Sequence, residues 1–258
     1  MSIALYDAKN SSSDHSYLKN ASVWRYMNLF EFTQIVVNSK LTLKQVSKFA
    51  DEWDGVLSPG YIRNKMRLEI AMARDSSTPV MENFDSLCAK EKLNTDCSYV
   101  SCWTYNSPDS MLMWDSFTSN PFSCAIEITI EELPNLILEE VNYGLVSEVF
   151  YFDPNNEDGC TLNHERELFR KRVGYEHERE VRLYVNGLHQ NIGLKWGSYN
   201  LNPDSLILSI NPSKLESVTF HPRISESSES TVKKLIGIFD HEIPVRPSIL
   251  ASKPPLSI

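Results

Sequence analysis

The sequence predicts an α+β fold: a single domain with helices in the N-terminal third packed on a central mixed or antiparallel sheet. Three observations predict it. Helix starts and helical spacing of apolar residues crowd the segment before Lys90. β-branched and aromatic alternation dominates from Ser98 onward. No low-complexity linker or long internal repeat interrupts the 258 residues, a length within reach of one larger domain. Residues 1–20 are polar and Ser-rich and read as a flexible arm, 21–250 as the domain, and 251–258 as a tail carrying Pro254-Pro255.

The elements follow in order. Trp24-Arg25-Tyr26 suits a short strand. Asn28, with Glu31 three residues on, is a helix start, and Leu29, Phe32, Ile35 and Val36 recur on one helical face. Leu41-Thr42-Leu43 reads as a strand. Ser58-Pro59 and Thr78-Pro79 each open a helix with proline at its first position, the second running to about Lys90. Ser98 to Thr104 is a strand by composition. Asp109 to Phe117 is a short helix whose Met111, Met113 and Trp114 are core residues. Strands follow at Phe122–Ile130, across Val141–Phe152, at Leu206–Ile210 and at Val218–Phe220. A helix near Thr231–Phe239 and a strand near Ile243–Val245 close the fold.

Composition narrows the function. Hydrophobic residues make up 41%, enough for a sizeable core. The net charge of −9 disfavours broad nucleic-acid or membrane-surface binding. No apolar run approaches the roughly 20 residues of a membrane span. The N-terminus carries no basic and apolar signal pattern. Five cysteines, without C-x-x-C spacing, read as reduced thiols of a cytoplasmic protein. Zinc spacing, a G-x-G-x-x-G or Walker loop and a nucleophile elbow are all missing, so no metal is expected.

The tetrapeptide His-Glu-Arg-Glu occurs twice, at 164–167 and 177–180. In the first copy Leu162, Leu168 and Phe169 suit a helix face, with Asn163 as cap and Gly174 as stop. Glu165 and Glu167 then lie about 200° apart and cannot act together. The second copy runs into Val181-Arg182-Leu183-Tyr184-Val185. Period-two alternation predicts a strand with Glu178, Glu180, Arg182 and Tyr184 on one face. Cα atoms two apart on a strand lie about 7 Å from each other, so the two carboxylates can converge on one substrate. Such a pair can split acid and base roles or stabilise a sugar cation. It can equally be a solvated strand face with Arg182 as partner.

Most of 24–250 resembles a mainly bacterial family of unknown function, DUF2971. The residues that carry the resemblance are Trp24-Arg25-Tyr26, Ser101-Cys102-Trp103, Met113-Trp114 with Phe117 downstream, and Lys171-Arg172, Tyr175, Glu178-x-Glu180-x-Arg182. More remotely, the order Arg25, Ser101 to Thr104, Glu178-x-Glu180 resembles ADP-ribosyltransferases of the Arg/Ser/Glu type. That resemblance implies the split sheet of ADP-ribosyltransferase-like proteins, NAD as substrate and an acceptor in protein, nucleic acid or small molecule, in a toxin or phage-defence setting. It implies that Arg25, beside Tyr26, clamps the diphosphate, a job suited to a planar guanidinium. Glu180 would stabilise the ribosyl cation, and Glu178 would position or deprotonate the acceptor. Ser101 and Thr104 would hold the Glu180 rotamer, and Arg182 would meet phosphate or pair with Glu180. The scheme requires Arg25, Ser101 and Glu180 to line one cleft. A non-catalytic partner- or nucleotide-binding module and a nucleosidase or glycosidase using the same acids remain open beside it.

Overall fold

The computed structural model describes residues 3–9, 20–51, 53–55, 57–73, 80–105, 109–118, 120–139, 141, 143–153, 164–187, 204–238 and 243–251. Its centre is one mixed sheet. In spatial order this sheet runs β1 (Ala4–Leu5), β6 (Gly144–Glu148), β9 (Glu180–Asn186), β4 (Ser98–Tyr105), β2 (Ser22–Asn28), β5 (Ser123–Thr129), β11 (Ser217–Phe220) and β12 (Val245–Arg246). The end ladders β1–β6 and β11–β12 are parallel, and those between them are antiparallel. A branch leaves the sheet at β4. β2 pairs with its residues Thr104 and Tyr105, whereas β3 (Lys40–Gln45) pairs with Tyr99 and Val100 and carries β10 (Ser205–Ser209). The sheet therefore forks along one edge of β4, and α1 (Leu29–Asn38) links the two prongs. A separate parallel pair joins β7 (Phe150–Phe152) to β8 (Arg170–Arg172).

Local chemistry accounts for the helices. Asn28 caps α1, its Oδ1 accepting from the Glu31 amide at 2.8 Å. Ser58 caps α2 (Pro59–Ala73), its Oγ accepting from the Tyr61 amide at 3.0 Å, with Pro59 at the first position. The next helix, α3 (Val80–Asp96), runs past Lys90 because no breaker intervenes before β4; its expected Thr78-Pro79 start lies outside the described residues. α4 (Met111–Phe117) falls where spacing places it, and α6 (Glu226–Ile238) starts five residues before the expected Thr231.

Two expectations are corrected. Residues 3–9 are not a flexible arm: Tyr6 N donates to Val146 O at 2.8 Å, Ala8 N donates to Ser147 Oγ at 3.0 Å, and Ile3 and Ala8 are buried. The polar stretch 10–19 and the tail 252–258 lie outside the described residues. The helix of the first His-Glu-Arg-Glu copy, α5 (His164–Leu168), ends well before Gly174. Phe169 is buried, and Arg170–Arg172 turns extended to form β8.

Strand alternation sorts side chains to the two sheet faces. One face holds the main core, where Val23, Met27, Trp103, Ile126, Val181 and Leu183 meet Phe32 and Ile35 of α1 and Ile236 of α6. The other face carries two smaller apolar clusters. Val100, Tyr184 and Leu145 pack with Leu168, Phe169 and Val46; Trp24, Tyr26 and Ala125 pack with Met113 and Trp114 of α4.

The docked N-terminal segment is testable. Ile3→Ser is expected to cost about 1.5–3 kcal/mol in urea unfolding, the worth of one buried aliphatic side chain, with an unchanged m-value. A frayed arm would show no change.

Candidate active site

Between the two smaller clusters lies a polar row. Cys102 of β4 stands opposite Arg182 of β9, and Thr104 stands opposite Glu180. Residues directly paired across a ladder share a face, so Cys102, Thr104, Glu180 and Arg182 all project to the side away from the main core. There Cys102 and Glu180 floor a cleft of about 220 Å³, walled by Phe49, Phe117 and Tyr175 and bearing Asp51, Asp54, Lys171 and Glu178.

The acid pair converges, but not as two positions of one strand. β9 begins at Glu180; Glu178 ends the 3₁₀ turn Val173–Glu178, and Arg179 between them is left-handed at φ 42°. Tyr105 N donates to Arg179 O and Val149 N to Glu180 O, both at 2.8 Å, which fixes this junction between neighbouring chains. The Lys171 ammonium then donates to Glu178 Oε2 at 2.6 Å and to Glu180 Oε2 at 3.1 Å.

Under the cleft, Arg182 is fully buried. Its Nε donates to Glu180 Oε1 at 2.7 Å, its Nη1 to Leu168 O at 2.6 Å, and its Nη2 to Asp54 Oδ2 at 2.7 Å. The guanidinium is thus consumed within the protein, and Arg182 is no phosphate contact. Asp54 reaches it from the segment after β3, where Gly55 has φ +73° and its Cα hydrogen faces Val46. A Cβ there would sit 2.0 Å from Val46 Cγ1, so only glycine allows this close approach.

The environments drive the two acids apart. Burial is the largest influence on both and favours their neutral forms. For Glu178 burial wins over the Lys171 hydrogen bond, and the Glu180 charge adds to it, so its carboxyl is raised. For Glu180 the charges of Arg182 and Lys171, with hydrogen bonds from Arg182 and the Cys102 thiol, outweigh burial and hold it at about 2. The Cys102 thiol is itself pushed well up by burial and by Glu180, so it is a proton donor rather than a thiolate nucleophile. Lys171 remains an ammonium: burial opposes its charge, but Glu180 and Glu178 raise its pKa.

Arg25 and Ser101 are not part of this cleft. Arg25 shares its strand face with Val23 and Met27, and Ser101 shares its face with Tyr99 and Trp103, all in the main core. Arg25 Nη1 does donate to Ser101 Oγ, and its Nη2 donates to Thr42 O at 3.3 Å, closing the mouth of the fork between β2 and β3. The two predicted residues meet each other with the sheet between them and Glu180. Nor does Ser101 hold the Glu180 rotamer; Arg182, Lys171 and Cys102 do. Thr104 is buried on the cleft face, and Tyr26 backs the cleft by stacking on Phe117 with centroids 6.4 Å apart.

Of the expected site residues, Glu178 and Glu180 line the cleft together with Cys102, Phe117, Lys171 and Tyr175, and Arg182 lies beneath it. Sequence reasoning missed Asp51, Asp54 and Phe49, which no spacing connects to β9. It also left Lys171 without a role, although Lys171 stands close before the acid pair. No family model matches the chain, and comparison with curated proteins and with solved structures finds no match. Function must therefore be argued from the cleft.

Two measurements probe the ion cluster. Arg182→Met strands two buried carboxylates and is expected to cost about 3–5 kcal/mol in denaturant unfolding. Because the folded-state pKa of Glu180 is depressed to about 2, its contribution to stability is complete above the ordinary glutamate value of about 4.3 and is lost as pH falls through the depressed one. The parent is expected to lose stability across that window, whereas Glu180→Gln starts less stable at neutral pH and stays flatter there.

Proposed function

We propose that the cleft holds the sugar of a glycosidic ligand and that the chain breaks or transfers across its N-glycosidic bond. NAD is the first substrate to test, with ADP-ribose as the group moved. The observation that carries this reading is the convergence of Glu178 and Glu180 on Lys171 with their pKa values driven in opposite directions. Two carboxyls tuned apart are what a reaction with a sugar-cation transition state uses.

The roles follow from the environments. As the bond from the anomeric carbon to the leaving nitrogen breaks, its electron pair goes with the nitrogen and positive charge grows on the sugar. Glu180, ionised at any physiological pH, lies at the floor to stabilise that charge. Water or an acceptor adds to the anomeric carbon, and Glu178 takes the proton it releases. Lys171 keeps the two carboxylates together. With Arg25 across the sheet, the diphosphate clamp of the sequence reading is replaced by Arg172. This residue is 35% exposed and is held by Asp51, a cleft residue, with Nη2–Oδ1 at 2.8 Å.

One observation favours a second reading, a binding module without turnover. Glu180 is only 2% exposed and already accepts from Arg182, Lys171 and Cys102, which leaves little of its charge for a substrate.

The experiment is release of nicotinamide from NAD, and of free base from a nucleoside panel, followed by chromatography. The parent is expected to release one of them. Glu180→Gln is expected to slow it by about 10²–10³-fold, as for loss of one preorganised electrostatic group. Glu178→Gln is expected to slow transfer and to remove the ionisation of Glu178 from the pH profile. A parent that binds but releases nothing from any substrate leaves the binding module standing and the catalytic reading refuted.

A further inference from the structure

We infer that the cleft takes a compact organic cation carrying N–H donors, and that Asp54 is the residue that recognises it. The Asp54 side chain is 3% exposed. Its Oδ2 is engaged by Arg182, but its Oδ1 is buried with no hydrogen-bond partner among the described residues. A buried carboxylate oxygen without a donor is costly and uncommon in a folded protein. Asp54 lines the cleft, so a donor that enters and parts the side chains over this oxygen finds an acceptor there.

Charge points the same way. Asp51, Asp54, Glu178 and Glu180 face Lys171, Arg172 and Arg182, four carboxylates against three cations. One monovalent cation balances the cluster, whereas an anion adds to the excess. The walls agree, because Phe49, Phe117 and Tyr175 present rings, and aromatic faces attract cations. At about 220 Å³ the cleft is smaller than the roughly 300–1,000 Å³ of sites for drug-sized ligands, which limits the occupant to about one ring with its substituents. An amidinium or guanidinium group on a small flat body meets all four conditions. This inference concerns binding alone and does not rest on the glycosidic reading.

Calorimetric titration of the full chain at neutral pH with benzamidinium, benzamide and benzoate tests it, since the three share a shape and differ in charge. Benzamidinium is expected to bind about tenfold or more tighter than benzamide, with no heat from benzoate. Asp54→Asn is expected to weaken benzamidinium by about tenfold or more. Because Asp54 also holds Arg182, Phe117→Leu serves as the second variant: it leaves the ion cluster intact and is expected to weaken benzamidinium about threefold by removing one ring face. Benzoate binding as tightly as benzamidinium, silence from all three at millimolar concentration, or both variants binding like the parent would each overturn the inference.

Discussion

A guanidinium with no access to water sits at the centre of this protein. Arg182 projects from the middle of the sheet and is surrounded by protein on every side, so its charge must be met by internal acceptors. Glu180, Asp54 and the Leu168 carbonyl supply them, from β9 itself, from the segment after β3 and from the end of α5. Asp54, 128 positions away, is thereby pinned to the same point as β9 and the end of α5. Replacing such a buried triad by well-packed apolar residues is often neutral or stabilising, so its presence is poor evidence for a stability role. What it does achieve is placement. It holds two carboxylates at the floor of a cleft.

The cleft itself follows from a gap in apolar packing. On the side of the sheet away from the main core, one cluster gathers around Tyr184 and Phe169 and another around Trp24 and Trp114. The polar row of Cys102, Glu180 and Arg182 separates them, with Cys102 packed against the first. Lys171 closes part of the opening from β8, the strand that forms because the α5 helix stops early. Fold and site are therefore linked: the same short helix that ends at Leu168 supplies the carbonyl under Arg182 and releases the chain that brings Lys171 back.

Much of the architecture was legible in the sequence, because it rests on local chemistry. The Asn28 and Ser58 caps, the prolines that start helices and the period-two run after Glu180 all declare themselves within a few residues. The acid pair was legible too, although its geometry arises from a left-handed turn at Arg179 that alternation cannot reveal. The error over Arg25 has a different origin. Alternation tells which residues of a strand share a face, but only the register between strands tells which face of the sheet that is, and register is set by long-range packing. Asp54 was invisible for the same reason: its partner is 128 positions away.

Arg179 carries a further consequence. A residue other than glycine held at φ 42° stores backbone strain on the order of 1–3 kcal/mol, and here it lies directly between the two acids. The bend directs Glu178 toward Lys171, where a continuous pleat would have carried it past. Selection for thermal hardiness alone would relax this position toward glycine and loosen the aim of the neighbouring carboxylate. The kink thus marks a place where robustness and precision pull in opposite directions.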